Sequence, residues 1–94
     1  MTYQEIENKV VSLLEKNNVK TIGIIGSYAR GVQRQDSDLD ILVNFKDRKS
    51  LLTLVRIERE LSETIGVKVD LLTEQSVSPY LIARIKSEMK VIYQ

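Results

Sequence analysis

Three aspartates stand where a folded chain seldom tolerates acids. Asp38 and Asp40 lie inside the strand-like run Asp38-Leu39-Asp40-Ile41-Leu42-Val43, and Asp70 sits between Val69 and Leu71. Residues two apart on a strand share a face, so the carboxylates of Asp38 and Asp40 project together while Leu39, Ile41 and Val43 turn away. Carboxylates gathered on one face repel each other and raise one another's pKa unless something neutralises them. The chain has no histidine and no cysteine, and no arginine interleaves with the acids. The expected neutraliser is a hard divalent cation. Magnesium fits best, because it takes a few carboxylates together with substrate phosphate oxygens. Two such ions about 3.5–4 Å apart can clamp the attacking and leaving oxygens of an in-line displacement at phosphorus.

A second group of residues complements the acids. Gly26-Ser27 follows the β-branched run Thr21-Ile22-Gly23-Ile24-Ile25. A glycine there lets backbone approach a ligand closely. Ser27 then opens a short helix whose first N–H groups face an anion, and its hydroxyl adds a donor. Arg30, one turn on, can grip phosphate oxygens with its planar fork. The pattern is neither a P-loop nor a dinucleotide-binding glycine motif, since GxxxxGK[ST] and GxGxxG are both missing.

Composition removes other chemistries. Without histidine or cysteine there is no Ser–His–Asp triad, no thiolate nucleophile and no disulfide. Fourteen basic and thirteen acidic residues leave a net charge of +1, so no basic footprint for direct nucleic-acid binding is expected. No apolar run approaches the roughly 18–20 residues of a membrane span, and the N-terminus is acidic and amphipathic, unlike a signal peptide. These features point to the cytoplasm and to no membrane partner.

The elements that must position the site can be read from their punctuation. Thr2 with Glu5 forms a capping box ahead of a helix carrying Ile6, Val10, Leu13 and Leu14, with Asn17-Asn18 as its stop. A strand over 21–25, a short helix over 27–30 closed by Gly31, a polar loop over 32–37 and a strand over 38–43 follow. Ser50 caps a second long helix with Leu51, Leu54, Val55, Leu61 and Ile65 on one face, ended by Gly66. A third strand spans 67–72. Ser78-Pro79 starts the last helix, with Leu81, Ile82 and Ile85. The tail 89–93 favours a strand, since Val91, Ile92 and Tyr93 are poor helix formers. Alternation of this kind predicts an α/β (α+β) architecture: a small mixed sheet of three to four strands with helices packed on it. The connection between the first two strands is too short for a comfortable parallel crossover, hence the mixed sheet.

The site residues also carry a resemblance. Gly26-Ser27, ten residues, then Asp38-Leu39-Asp40 resembles the signature of the DNA polymerase β-like nucleotidyltransferase superfamily. The fuller string GSYARGVQRQDSDLDILV, with VKVDLL and SVSPYLIARI…MKVIY, is similar to the minimal nucleotidyltransferase (MNT) branch over nearly the whole chain. The resemblance implies a single minimal nucleotidyltransferase domain over 1–94. It implies that Asp38 and Asp40 bind both metal ions and that Asp70 joins them and helps activate the incoming hydroxyl. Gly26 and Ser27 would hold the β- and γ-phosphates of ATP; Arg30 as a phosphate contact follows from spacing alone. The expected cofactor is Mg2+, two ions, with ATP as substrate. The expected partner is a HEPN-family toxin in a hetero-oligomer, with AMP moved to a tyrosine of that toxin. Two other readings stay open: a non-catalytic antitoxin that acts by complex formation, and nucleotidyl transfer to a small molecule. Elsewhere, Arg34 reads as a surface charge, Asp36 and Ser37 as loop formers, 46–49 as a solvated turn and Tyr80 as helix packing.

Overall fold

The computed structural model describes residues 1–94. Helix α1 spans Tyr3–Glu15, strand β1 Val19–Ile25, helix α2 Ser27–Arg30, strand β2 Leu39–Phe45 and helix α3 Leu51–Ile65. Strand β3 covers Val69–Thr73, a single 3-10 turn Glu74–Ser76, helix α4 Pro79–Glu88 and strand β4 Lys90–Tyr93. The caps form as expected, except that the Glu5 carboxylate accepts from the Thr2 hydroxyl at 3.1 Å rather than from its amide, so the capping box is only half made. Thr2 Oγ1 accepts the Glu5 N–H at 3.1 Å, Ser50 Oγ that of Thr53 at 3.2 Å and Ser78 Oγ that of Tyr80 at 3.3 Å. Each satisfies an amide that has no partner within its own helix. After α1 the chain reverses through Asn18, at φ 65°, a conformation asparagine tolerates. The tail is the expected strand.

The sheet is mixed, in the order β3-β2-β1-β4. Strand β1 runs antiparallel to β2 and β4, and β2 runs parallel to β3. One face carries the core: Val10 and Leu14 of α1 and Ile57, Leu61 and Ile65 of α3 close over Ile22, Ile24, Leu39, Ile41, Val43 and Val69. Leu39, Ile41 and Val43 are all but sealed from water. Their burial is worth roughly 4–9 kcal/mol in all. A slip of one residue would exchange these side chains for Asp40 and its neighbours, so the core holds the register that aims Asp40 at the opposite face. On that opposite face Met89 lies across Gly23, where an added Cβ would fall 2.4 Å from the Met89 sulfur.

Three expectations need correction. Leu51 and Val55 do not join the buried stripe of α3; they are 76% and 52% exposed. Two overlapping apolar stripes run along this helix, and the one through Ile57, Leu61 and Ile65 meets the sheet. Tyr80 does not pack on its helix but is 93% exposed, on the solvent side of the first turn of α4. The turn 46–49 is only partly solvated: the Lys49 ammonium pairs with Asp47 at 3.0 Å and lies 5.4 Å above the Phe45 ring.

Strand β3 lies at one edge of the sheet, and every outward amide along it has an acceptor. Ser62 Oγ accepts the Val69 N–H at 3.0 Å, Glu58 Oε2 that of Leu71 at 2.8 Å and Ser76 Oγ that of Thr73 at 3.3 Å. Asp70 is thus held on both sides of its own residue by side chains of α3.

Candidate active site

Register brings the predicted residues together. Asp40 stands opposite Asp70 in the parallel β2–β3 pair and opposite Ile25 in the antiparallel β1–β2 pair. Neighbouring strands lie about 4.8 Å apart, so the carboxylates of Asp40 and Asp70 are side by side on one face. Ile25 leads directly into Gly26 and Ser27, which places the Gly-Ser turn at the same end of the sheet. Asp38 falls one residue ahead of β2, exposed, beside the start of β3.

Gly26 cannot be replaced without strain. Its backbone sits at φ 74° and ψ −149°, a region essentially reserved for glycine. A Cβ there would fall 2.7 Å from Asp40 Oδ2. The turn and the carboxylate are therefore in close contact, and the missing side chain is what permits it. Helix α2 begins at once: the Gly26 carbonyl accepts the N–H groups of Ala29 at 3.1 Å and Arg30 at 3.3 Å. The N–H groups of its first residues have no intrahelical acceptor and remain for a ligand. Arg30 is exposed at the far end of α2, and no acidic side chain pairs with it. Loop residue Ser37 accepts the Arg34 N–H at 2.8 Å, the loop-forming role expected of it.

The electrostatics of the acids are uneven. Burial, then a hydrogen bond with Asp70 and the charges of Asp70 and Asp38, raises the Asp40 carboxyl from 3.8 to about 6. Asp38 and Asp70 are drawn towards a different group: Lys68 Nζ lies 3.8 Å from Asp38 Oδ2 and 4.0 Å from Asp70 Oδ1. As arranged, no three acids converge closely enough to ligate one ion. The donor set nevertheless suits a hard divalent cation. It offers carboxylate oxygens without sulfur or imidazole, and burial together with the crowded negative charge already drives Asp40 towards its protonated form.

Two contributions lie outside the predicted set. Lys68, rather than an arginine, is the cation among the acids. Its position two residues before Asp70 is the signal, since alternation puts both on one face. The other is a tyrosine pair. Tyr28, almost fully buried, anchors α2 in the core, and the Tyr3 hydroxyl donates to the Tyr28 carbonyl at 2.8 Å. Burial raises the Tyr3 hydroxyl pKa, with the nearby Lys90 ammonium opposing. No spacing rule links residues 3 and 28.

Residues 8–94 match the nucleotidyltransferase family described as Polymerase beta, Nucleotidyltransferase. The chain belongs to this family. A provisionally named protein adenylyltransferase of Methanocaldococcus jannaschii is 49% identical over 88 residues, covering 94% of this chain and 95% of that protein. Protein adenylyltransferase MntA of Thermococcus cleftensis is 40% identical over 81 residues, with 82% of each chain covered. Among solved structures, a complex of a tri-AMPylated Shewanella oneidensis HEPN toxin with an MNT antitoxin contains a chain that superposes with a TM-score of 0.81 at 26% identity. The match covers 98% of this chain and 72% of that one. The nucleotidyltransferase fold and the mixed sheet inferred from sequence are those observed.

Proposed function

We propose that this nucleotidyltransferase moves AMP from ATP onto a tyrosine hydroxyl of a HEPN toxin, and so acts as that toxin's antitoxin. The observation that carries the reading is the meeting of Asp40 with Asp70 across the β2–β3 register, against the Gly26 turn. The family membership and the adenylyltransferase relatives support it. The AMPylated HEPN toxin in the similar complex supports the choice of partner and a hetero-oligomer.

Asp38, Asp40 and Asp70 would hold the metal, which we take to be two Mg2+ ions; when bound, these neutralise triphosphate charge and favour ionisation of the acceptor hydroxyl. Gly26 and Ser27 hold the β- and γ-phosphates, through backbone N–H groups and the Ser27 hydroxyl. Arg30 adds a phosphate contact from the end of α2. The acceptor oxygen attacks the α-phosphorus in line, the bond to the bridging oxygen breaks, and pyrophosphate leaves. The acceptor's proton passes to the Asp70 carboxylate. Positioning and charge neutralisation supply most of the rate. Residues 1–94 act as one domain, and the setting is the cytoplasm; no helix is long and apolar enough to cross a membrane.

The test is to incubate the protein and its HEPN partner with Mg2+ and ATP labelled at either the α- or the γ-phosphate. Label enters the toxin only from the α-position, the toxin's intact mass grows by whole AMP units, and Asp40→Asn transfers nothing. A stable complex without label from either position would make the protein a binding antitoxin and overturn the reading.

A further inference from the structure

Lys68 pairs with both acids that flank the Asp40 position, and it is the sole cation that does so. Its backbone is fixed while its head is free. The Lys68 carbonyl accepts the Leu39 N–H at 2.9 Å, which fastens the stem of the side chain beside Asp38. At 3.8 and 4.0 Å, the contacts of the ammonium are longer than a charged hydrogen bond. The side chain is 71% exposed. No hydrogen bond holds the ammonium, and water surrounds most of it. It is therefore a tethered charge that can swing away, unlike the Glu7–Lys90 pair, which is closed at 2.7 Å.

An ammonium lying between two carboxylates from different segments, Asp38 just ahead of β2 and Asp70 on β3, does part of the work a metal ion would do there. It also adds a repulsive charge in the path of an incoming dication. We propose that Lys68 is the resident counter-ion of the acid cluster and competes with the divalent ion for Asp38 and Asp70, so that it sets the ion concentration at which the site fills. This rests on the assignment of Asp38, Asp40 and Asp70 as the metal carboxylates. It assigns to Lys68 an effect on ion occupancy itself, a property that a solvated surface lysine would not influence.

The experiment is a Mn2+ titration of the whole chain without nucleotide, with free Mn2+ read by electron paramagnetic resonance. Wild type, Lys68→Gln, Lys68→Arg and Asp40→Asn are compared, each checked for folding by circular dichroism. Removing an exposed, competing ion pair tightens Mn2+ binding about two- to fivefold in Lys68→Gln. The gain shrinks in 0.5 M KCl, where the Debye length falls to about 4 Å. Lys68→Arg keeps the charge and stays near wild type. Equal or weaker binding by Lys68→Gln, with Asp40→Asn still losing the ion, overturns the counter-ion role and leaves the acids as assigned. Binding that Asp40→Asn leaves intact, or no binding by any of the four proteins, overturns the assignment of the acids and the inference with it.

Discussion

Asp40→Asn should remove activity and stabilise the fold. The Asp40 carboxyl is raised from 3.8 to about 6, chiefly by burial and then by Asp70. Between those values the folded protein holds a proton that the unfolded chain releases. Above them, folding must keep an unwelcome charge, so the stability penalty is fully present at neutral pH and fades as pH falls through 6 towards 4. At 1.36 kcal/mol per tenfold change, the penalty is at most about 3 kcal/mol. The side chain is only half-buried, and solvent screening reduces this to about 1 kcal/mol. Asparagine keeps the shape, can donate to Asp70 and carries no charge. For a domain of this size, a gain of about 1 kcal/mol raises Tm by roughly 4–8 °C. Thermal unfolding of both proteins from pH 7.5 down to 4.5, in chelator, tests this. The difference should shrink steadily as pH falls from 7.5 to 4.5. If the acids hold a metal as proposed, added Mg2+ should raise the Tm of wild type more than that of the variant. A variant less stable than wild type at pH 7.5, or a difference that does not change with pH, would refute the account of Asp40.

Other substitutions probe the supports of the site. Gly26→Ala places a Cβ against Asp40 in a backbone conformation alanine avoids; it should cost about 1–3 kcal/mol in urea unfolding. Transfer should drop about a hundredfold as Asp40 is displaced. Tyr3→Phe removes the hydrogen bond to the Tyr28 carbonyl and should cost about 0.5–1.5 kcal/mol, with KM for ATP rising as α2 loosens. Glu58→Ala leaves the Leu71 amide without its charged acceptor. A loss of about 1.5–3 kcal/mol is expected, together with faster amide hydrogen exchange at Leu71.

The elements were legible because their ends are chemically marked. Thr2, Ser50 and Ser78 cap helices, and Gly26, Gly31 and Gly66 close or bend segments, so each boundary is a local event. The clustering of Gly26, Ser27, Asp38 and Asp40 was equally legible, since the core face of β2 dictates which way Asp40 points. Interactions between distant segments were not. Tyr3 reaches Tyr28, Glu58 reaches Leu71, and Lys68 reaches Asp38 only after the sheet has formed. The face of α3 was half legible, because apolar periodicity cannot say which of two overlapping stripes the sheet will cover.

The capped amides of β3 also decide how an acceptor can arrive. An exposed sheet edge invites a visiting strand to extend it, and several peptide-binding domains capture their ligands that way. Here Ser62, Glu58 and Ser76 already occupy the amides of residues 69, 71 and 73. The strand that carries Asp70 thus has no main-chain donor left for a guest. A guest strand therefore cannot complete a ladder on this edge, and a protein bringing a hydroxyl to the acids is better served by presenting it as a projecting side chain, from a helix or a loop, over the end of the sheet that carries them.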